Sequence, residues 1–146
     1  MTQVGPITKL MLKQHAFLNK LLFEFNEIPS KKIDKAKEVF ANFRWNLEKH
    51  FFIEEHNLFP VTNSQDDEEV ILMNRLLQEH KDIMIVVNNL TEELLDGRIP
   101  KINKLKPVLF NHEQREIKMF YPKFDKFLKI SEKEYIIEKI GDINLN

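Results

Sequence analysis

Apolar residues recur every three or four positions through most of the chain, which is the spacing of one face of an α-helix. Glycine and proline are scarce, at three and six residues, so little interrupts these stretches. The pattern predicts an all-α protein with four long helices, at about residues 7–26, 32–59, 66–96 and 100–121.

The ends of these helices follow from individual residues. Pro60 is predicted to end the second helix, and Gly97 is predicted to cap the third. Pro107 is predicted to bend or break the first turns of the fourth helix. That helix is predicted to end near Tyr121, or to continue through a kink at Pro122 as far as residue 128.

A shorter amphipathic segment follows the fourth helix. Residues 131–140 predict a fifth helix, with Ser131 as its cap and Glu134 three residues further on, and residues 141–146 predict a frayed tail. Four long helices joined by short loops predict an up-down-up-down four-helix bundle, which the fifth helix caps. The alternative is that the fifth helix forms a dimer face. The length of 146 residues fits one domain over residues 1–146.

Composition excludes several classes of function. The chain has 22 basic and 23 acidic residues, without the basic excess typical of nucleic-acid binding. It contains no cysteine, which excludes disulfides, thiolate zinc sites, iron–sulfur clusters and cysteine catalysis. No apolar run approaches the ~20 residues that span a membrane, and the N-terminus has no apolar signal core. These features predict a cytoplasmic protein.

Histidines stand on the apolar face of each of the four long helices, about 30 to 35 residues apart. A lone histidine on such a face is usually a hydrogen-bonded core residue. Four histidines at regular spacing instead favour one shared site. A helix and a short loop separate each histidine from the next, so all four return to a similar height in the bundle. They are His15, His50, His80 and His112. The fifth histidine, His56, is predicted to face solvent.

Two of these histidines are followed four residues later by a glutamate, Glu54 after His50 and Glu116 after His112. This spacing places both side chains on one helical face, which is otherwise apolar. A buried carboxylate costs several kcal/mol without compensation, and a metal would compensate it. Imidazole and carboxylate without sulfur suit iron, manganese or zinc. Two carboxylates among four imidazoles suit two metals about 3.5–4 Å apart.

The order His-x-x-x-Glu occurs twice, each time with a proline six residues after the glutamate, at Pro60 and Pro122. The set from His15 to Pro122 resembles the hemerythrin and HHE cation-binding family, rather than the Glu-x-x-His pattern of ferritin-like proteins. The resemblance implies two non-haem irons, bridged by carboxylates and an oxo or hydroxo group. It implies one iron on His15 and His50, the other on His80 and His112, and Glu54 and Glu116 as the bridging residues.

The chain departs from the oxygen-carrying members of that family at two positions. The last carboxylate of the carriers is usually an Asp five residues after its histidine, whereas Glu116 follows His112 by four. The carriers also have a fifth histidine, at a position that Leu76 occupies here. About two of the roughly twelve positions on two octahedral irons would stay open. The chain therefore resembles more closely the four-histidine members, which are linked with oxygen, nitric oxide or peroxide chemistry, iron sensing and repair of iron centres.

The predicted function is a di-iron protein that binds or senses oxygen, nitric oxide or peroxide, or responds to iron availability. The alternative is a di-iron oxidase, peroxidase or nitric oxide reductase, or an iron-donating repair protein, so whether the chain is an enzyme stays open. A protein partner and a homodimer stay open as well. Glu55, Glu79 and Glu113 are predicted to be solvated, because neighbours diverge by about 100° on a helix. Tyr121 is predicted to pack beside Pro122, and the alternative is a role as a redox group or outer ligand.

Overall fold

The computed structural model describes residues 4–63 and 65–143, and this part of the chain contains helices and no β-strand. The all-α prediction is confirmed, while the up-down-up-down order stays a prediction. The α-helices are α1 Pro6–Asn26, α2 Ile33–Ile53, α3 Asp67–Leu95, α4 Leu105–Arg115, α5 Tyr121–Phe127 and α6 Ile130–Asp142.

Two π-helical turns extend the helices that carry the His-x-x-x-Glu motifs. Glu54–Leu58 continues α2 and leads into a 3₁₀ turn, and Glu116–Phe120 joins α4 to α5. In the first, Phe59 N–H donates to the carbonyl of Glu54; in the second, Tyr121 N–H donates to that of Glu116. A proline follows each turn. Because proline has no N–H and clashes with the carbonyl four residues before it, a widened turn accommodates it better than an α-helical one.

The start of the fourth helix differs from the prediction. The helix begins at Leu105 instead of near Pro100, so Pro107 lies in its first turn. Proline is tolerated there, since the N–H groups of the first turn have no partner within the helix. The chain then continues past Pro122, which lies at the start of α5.

The ends of α3 and α6 follow local hydrogen bonds. Asp66 caps α3 by accepting from the N–H groups of Glu68 and Glu69, and Gly97 ends it with a positive φ of 86°. In α6 the cap is Lys129, whose N–H donates to Glu132 at 2.9 Å, so the prediction of Ser131 was wrong. Because α6 runs to Asp142, the start of the predicted frayed tail is helical, and residues 144–146 lie outside the described residues.

The N-terminus of α1 is fastened to α5 through Asp125. Its Oδ1 accepts from the N–H of Ile7 at 2.9 Å, and its Oδ2 accepts from both the N–H and the hydroxyl of Thr8, at 2.9 and 2.6 Å. A side chain on Gly5 would overlap Asp125, so the close approach requires glycine there. The hydrogen bonds of Asp125 therefore join α1 to α5.

The apolar core consists of two clusters, here called the first and the second. On each of the helices α1 to α4, a histidine separates residues of the first cluster from residues of the second. Along α1 the order is Met11 of the second cluster, His15, then Leu18 of the first. Along α4 it is Leu109 of the first cluster and His112, and the π-helical turn after α4 ends at Phe120 of the second cluster. A polar layer therefore separates two apolar layers.

Candidate metal centre

The structure brings all six residues singled out by the sequence into one buried cluster between the core layers. None is more than 3% exposed, and the two carboxylates are completely buried. The cluster consists of His15, His50, Glu54, His80, His112 and Glu116. Each histidine directs its Nε2 atom inward, to within 3.0 to 3.5 Å of a carboxylate oxygen.

These residues form two groups whose potential ligand atoms lie within 4.8 Å of one another. The first group is His15, His50 and Glu116, and the second is Glu54, His80, His112 and Glu116. Glu116 belongs to both. Its Oε1 lies 3.2 Å from Nε2 of His15, and its Oε2 lies 3.3 Å from Nε2 of His112. One carboxylate thus faces both groups, with one oxygen on each.

Glu54 links the second group to Tyr121, which was predicted to pack beside Pro122. Glu54 Oε1 lies 3.0 Å from Nε2 of His80, while Oε2 accepts a hydrogen bond from the hydroxyl of Tyr121 at 2.6 Å. That hydroxyl also lies 3.0 Å from Glu116 Oε1 and 2.9 Å from Nε2 of His15. Tyr121 therefore lies inside the cluster, as the alternative prediction for this residue required.

The π-helical turn explains this position. Tyr121 follows Glu116 by five residues, and the π-helical hydrogen bond joins residues five apart. The wider turn brings Tyr121 back toward the face of Glu116, whereas an α-helix would turn it away. The signal in the sequence was the repeat, because Phe59 holds the same place before Pro60 that Tyr121 holds before Pro122.

The outward-facing Nδ1 atom of each histidine meets a side chain from another helix or helical turn. The pairs are His50 with Gln14 at 2.7 Å, His80 with Glu55 at 2.9 Å, His112 with Glu79 at 2.8 Å and His15 with Glu113 at 3.6 Å. Each supporting residue is the chain neighbour of a cluster residue. The first three pairs are hydrogen bonds, whereas His15 and Glu113 lie at an ion-pair distance without a hydrogen bond. An N–H donated outward fixes the ring and leaves the inward nitrogen free to bind a cation.

The prediction that the three glutamates of this outer set are solvated is wrong for Glu79 and Glu113, whereas Glu55 is exposed as predicted. Glu113 is buried, Glu79 is half-buried, and Glu55 is exposed but still reaches Nδ1 of His80. Arg115 Nε also donates to Glu79 Oε2 at 3.0 Å, so this carboxylate joins two partners. Burial raises the pKa of Glu79, but its hydrogen bonds to His112 and Arg115 outweigh that effect and lower the pKa below its usual range.

The electrostatics of the cluster without metal show how much positive charge it requires. Burial lowers the pKa of His80 and His112, but the carboxylates outweigh this effect and raise the pKa to about 9 and about 10. Burial, followed by the charge of Glu116, raises the pKa of Glu54. The pKa of Glu116 lies well below its usual range, because the contacts led by His112 exceed the effect of burial. Protons therefore supply the positive charge that a metal would otherwise bring.

Atoms without hydrogen bonds provide a test of whether a cation fits. Within residues 4–63 and 65–143, Nε2 of His112 and Oε2 of Glu116 are buried without a hydrogen-bond partner. They lie 3.3 Å apart without the geometry of a hydrogen bond, as expected of two metal-ligand atoms that face a common point. A cation at that point would satisfy both. The residues present therefore fit a metal.

Two further positions agree with the sequence reading. His56 lies at the surface, where its ring stacks on Phe52 at 3.9 Å, away from the cluster. Leu76 is completely buried one turn before His80 and packs in the second core cluster. Leu76 therefore offers no ligand on the inner face of α3.

An all-helical chain with a buried cluster of imidazoles and carboxylates belongs to the class of helical metal-binding proteins. A family model described as the hemerythrin HHE cation binding domain matches residues 7–129. The chain belongs to this family, and the match ends immediately before α6. No curated protein and no solved structure matches the chain significantly. Among the described residues, no helix is long and apolar enough to cross a membrane.

Proposed function

We propose that this protein is a non-haem di-iron protein that binds or senses a small ligand such as oxygen, nitric oxide or peroxide. His15 and His50 hold one iron, and His80 and His112 hold the other. Glu54 and Glu116 bridge the two irons, together with an oxo or hydroxo group. Iron bound in this way would supply Lewis acidity and one-electron chemistry toward the small ligand.

The observation that carries this proposal is the position of Glu116 between two histidine groups. Its two oxygens face different groups, at 3.2 Å from His15 and 3.3 Å from His112. A carboxylate that only neutralised one imidazolium would have no need to face a second group. Two metals with a shared carboxylate account for the arrangement, and family membership agrees with a bound cation.

We also propose that the bundle is a single domain with the up-down-up-down order. The two core clusters support this order. Along α1 and α3 the chain passes from the second cluster, through a histidine, to the first, and along α2 and α4 it passes in the reverse direction. Alternating directions bring the four histidines to one level.

The residues around the cluster would orient the ligands and admit a small molecule. Hydrogen bonds at Nδ1 hold the rings of His50, His80 and His112, and Phe51 stacks on His80 at 3.8 Å and 14°. A cavity of about 210 Å³ between α1 and α2 reaches Gln14 and His50. Another, of about 330 Å³, lies beside Glu55 and His80. Each is large enough for diatomic molecules or peroxide.

Turnover of the bound molecule is the second candidate function, and Leu76 favours it. This residue is completely buried and cannot bind metal, although it lies one turn from His80 on the same face of α3. The iron on His80 and His112 would keep a position open for a reacting molecule. Oxidase, peroxidase and nitric oxide reductase activity would use that position, and an incompletely held iron would also suit donation to a damaged iron centre.

Metal analysis after anaerobic reconstitution tests the proposal. We expect about two irons per chain, as two groups of ligands predict. Optical spectra of the reduced protein, recorded before and after exposure to oxygen or nitric oxide, would identify the ligand, and peroxide consumption would separate binding from turnover. Retention of a single zinc, with no iron under any loading condition, would refute the di-iron proposal.

A further inference from the structure

We propose that the hydroxyl oxygen of Tyr121 is a ligand of the metal held by His15 and His50, so that the two metal positions are unequal. This inference rests on the proposed function and deepens it. It assigns a ligand that neither the sequence motif nor the family description contains, and it identifies which metal keeps an open position.

The distances support Tyr121 as a member of the first group. Its hydroxyl oxygen lies 2.9 Å from Nε2 of His15, 3.5 Å from Nε2 of His50 and 3.0 Å from Oε1 of Glu116. The first group without Tyr121 has three potential ligands, whereas the second has four. In the proposed function Glu54 and Glu116 are common to both metals, so the phenol oxygen gives the metal on His15 and His50 one protein ligand more than the metal on His80 and His112.

Burial gives the hydroxyl few other roles. Tyr121 is completely buried, and its oxygen contacts only residues of the cluster among the partners described for it. A tyrosine that served only as apolar filling could be a phenylalanine, as Phe59 is at the corresponding place in the first half of the repeat. A phenolate is a known type of iron ligand in proteins. Binding to the metal displaces the phenol proton, which is released to solvent as metal binding releases protons from other ligands.

The comparison with Phe59 shows what the second group lacks. Phe59 and Tyr121 each follow a π-helical turn and precede a proline. The ring of Phe59 lies parallel to that of His80, 5.8 Å away, and has no oxygen to offer. The metal on His15 and His50 would thus be surrounded by protein donors, while the metal on His80 and His112 keeps its open position. A small ligand would bind at the second metal, beside the cavity that His80 lines.

The test is the spectrum of the iron-loaded protein after oxidation in air. Iron(III)-bound phenolate produces a visible charge-transfer band, and excitation into it enhances the ring vibrations of tyrosine in resonance Raman spectra. The chain has only two tyrosines, and the other, Tyr135, is 62% exposed on α6. We expect the band in the native protein and in Tyr135→Phe, and its loss in Tyr121→Phe with both irons retained.

A labelling experiment keeps the inference testable if Tyr121→Phe fails to fold. In the Tyr135→Phe protein, Tyr121 is the sole tyrosine, so 3-fluorotyrosine supplied during growth labels that position alone. The charge-transfer band should then shift in energy. Two bound irons without tyrosine vibrations would overturn this inference and leave the proposed function standing. A protein that binds no iron would overturn both, and a band that survives Tyr121→Phe would overturn the inference alone.

Discussion

Oε1 of Glu79 lies 2.8 Å from Nδ1 of His112, on the side of the imidazole that faces away from the metal cluster. We expect Glu79→Gln to weaken metal binding by roughly 10–100-fold, because an amide supports the ring less strongly than a carboxylate. Titration of the metal-free protein with iron(II) or zinc measures the change. Glu92→Gln, an exposed change on the same helix, is the matched control and should leave affinity unchanged. If the two variants bound metal with equal affinity, Glu79 would not support the ring of His112.

The two inner carboxylates should differ in their effect on metal content. Glu116→Ala is expected to lose metal from both groups, because Glu116 is common to them. Glu54→Ala is expected to lose metal mainly from the group of His80 and His112. Elemental analysis measures the content, and circular dichroism checks that the helices remain. His56→Ala is the control, and its metal content should equal that of the native protein. If Glu54→Ala and Glu116→Ala both retained the native content, neither residue would be a bridge.

The metal-free protein should lose stability as the pH rises. The pKa of His80 is raised to about 9 and that of His112 to about 10, above the ordinary value of 6.5. Their stabilising contribution is therefore complete below pH 6.5 and is lost as the pH rises through 9 and 10. Urea unfolding of metal-free protein between pH 6 and 10 should show a fall on the order of a few kcal/mol. The metal-loaded protein should change less, and a flat profile without metal would contradict the charge assignment.

Asp125 offers a test of the fold that should spare the metal site. Asp125→Ala removes the acceptor of three hydrogen bonds from Ile7 and Thr8, and should lower the free energy of unfolding by about 1–3 kcal/mol. Thermal or urea unfolding measures the loss. Asp142→Ala, at the exposed end of α6, should cost little. An unfolding free energy as high as that of the native protein would show that the link between α1 and α5 is unimportant.

Leu76→His separates a carrier from a reactive centre. A histidine one turn before His80 could reach the second iron and fill its open position. We expect the reduced native protein to oxidise quickly in air and the variant to oxidise more slowly. Absorption spectra after rapid mixing with oxygen measure both rates. The variant without metal should be less stable than the native protein, because it buries an imidazole among apolar residues. Reversible oxygen binding by the native protein would instead identify a carrier despite Leu76.

The inner cluster could be predicted because its spacing is that of a regular α-helix. Glu54 and Glu116 are the first residues of the two π-helical turns, so the four-residue spacing from His50 and His112 still holds. Beyond each turn the phase changes, and for that reason packing beside Pro122 was preferred for Tyr121 over a place in the cluster. Met119, an apolar residue within the second turn, is exposed. Helical periodicity cannot reveal a widened turn, although a proline follows each of the two π-helical turns.

The outer supports were missed for a different reason. Neighbours of a ligand diverge from it by about 100° on their own helix, which suggested solvent. In a bundle, that direction is also where the next helix packs, and Glu113 reaches Nδ1 of His15 across such a boundary. The sequence alone does not show which helices are neighbours, so these pairs required the three-dimensional structure.

Tyr121 and Asp125 lie one turn apart on α5, so one short helix contacts both the candidate metal centre and the start of α1. The phenol oxygen contacts the cluster, while the Asp125 carboxylate holds the first amides of α1. A shift of Tyr121 on metal binding would pass along a single helical turn to Ile7 and Thr8. Hydrogen exchange at those two amides should therefore report whether iron is bound.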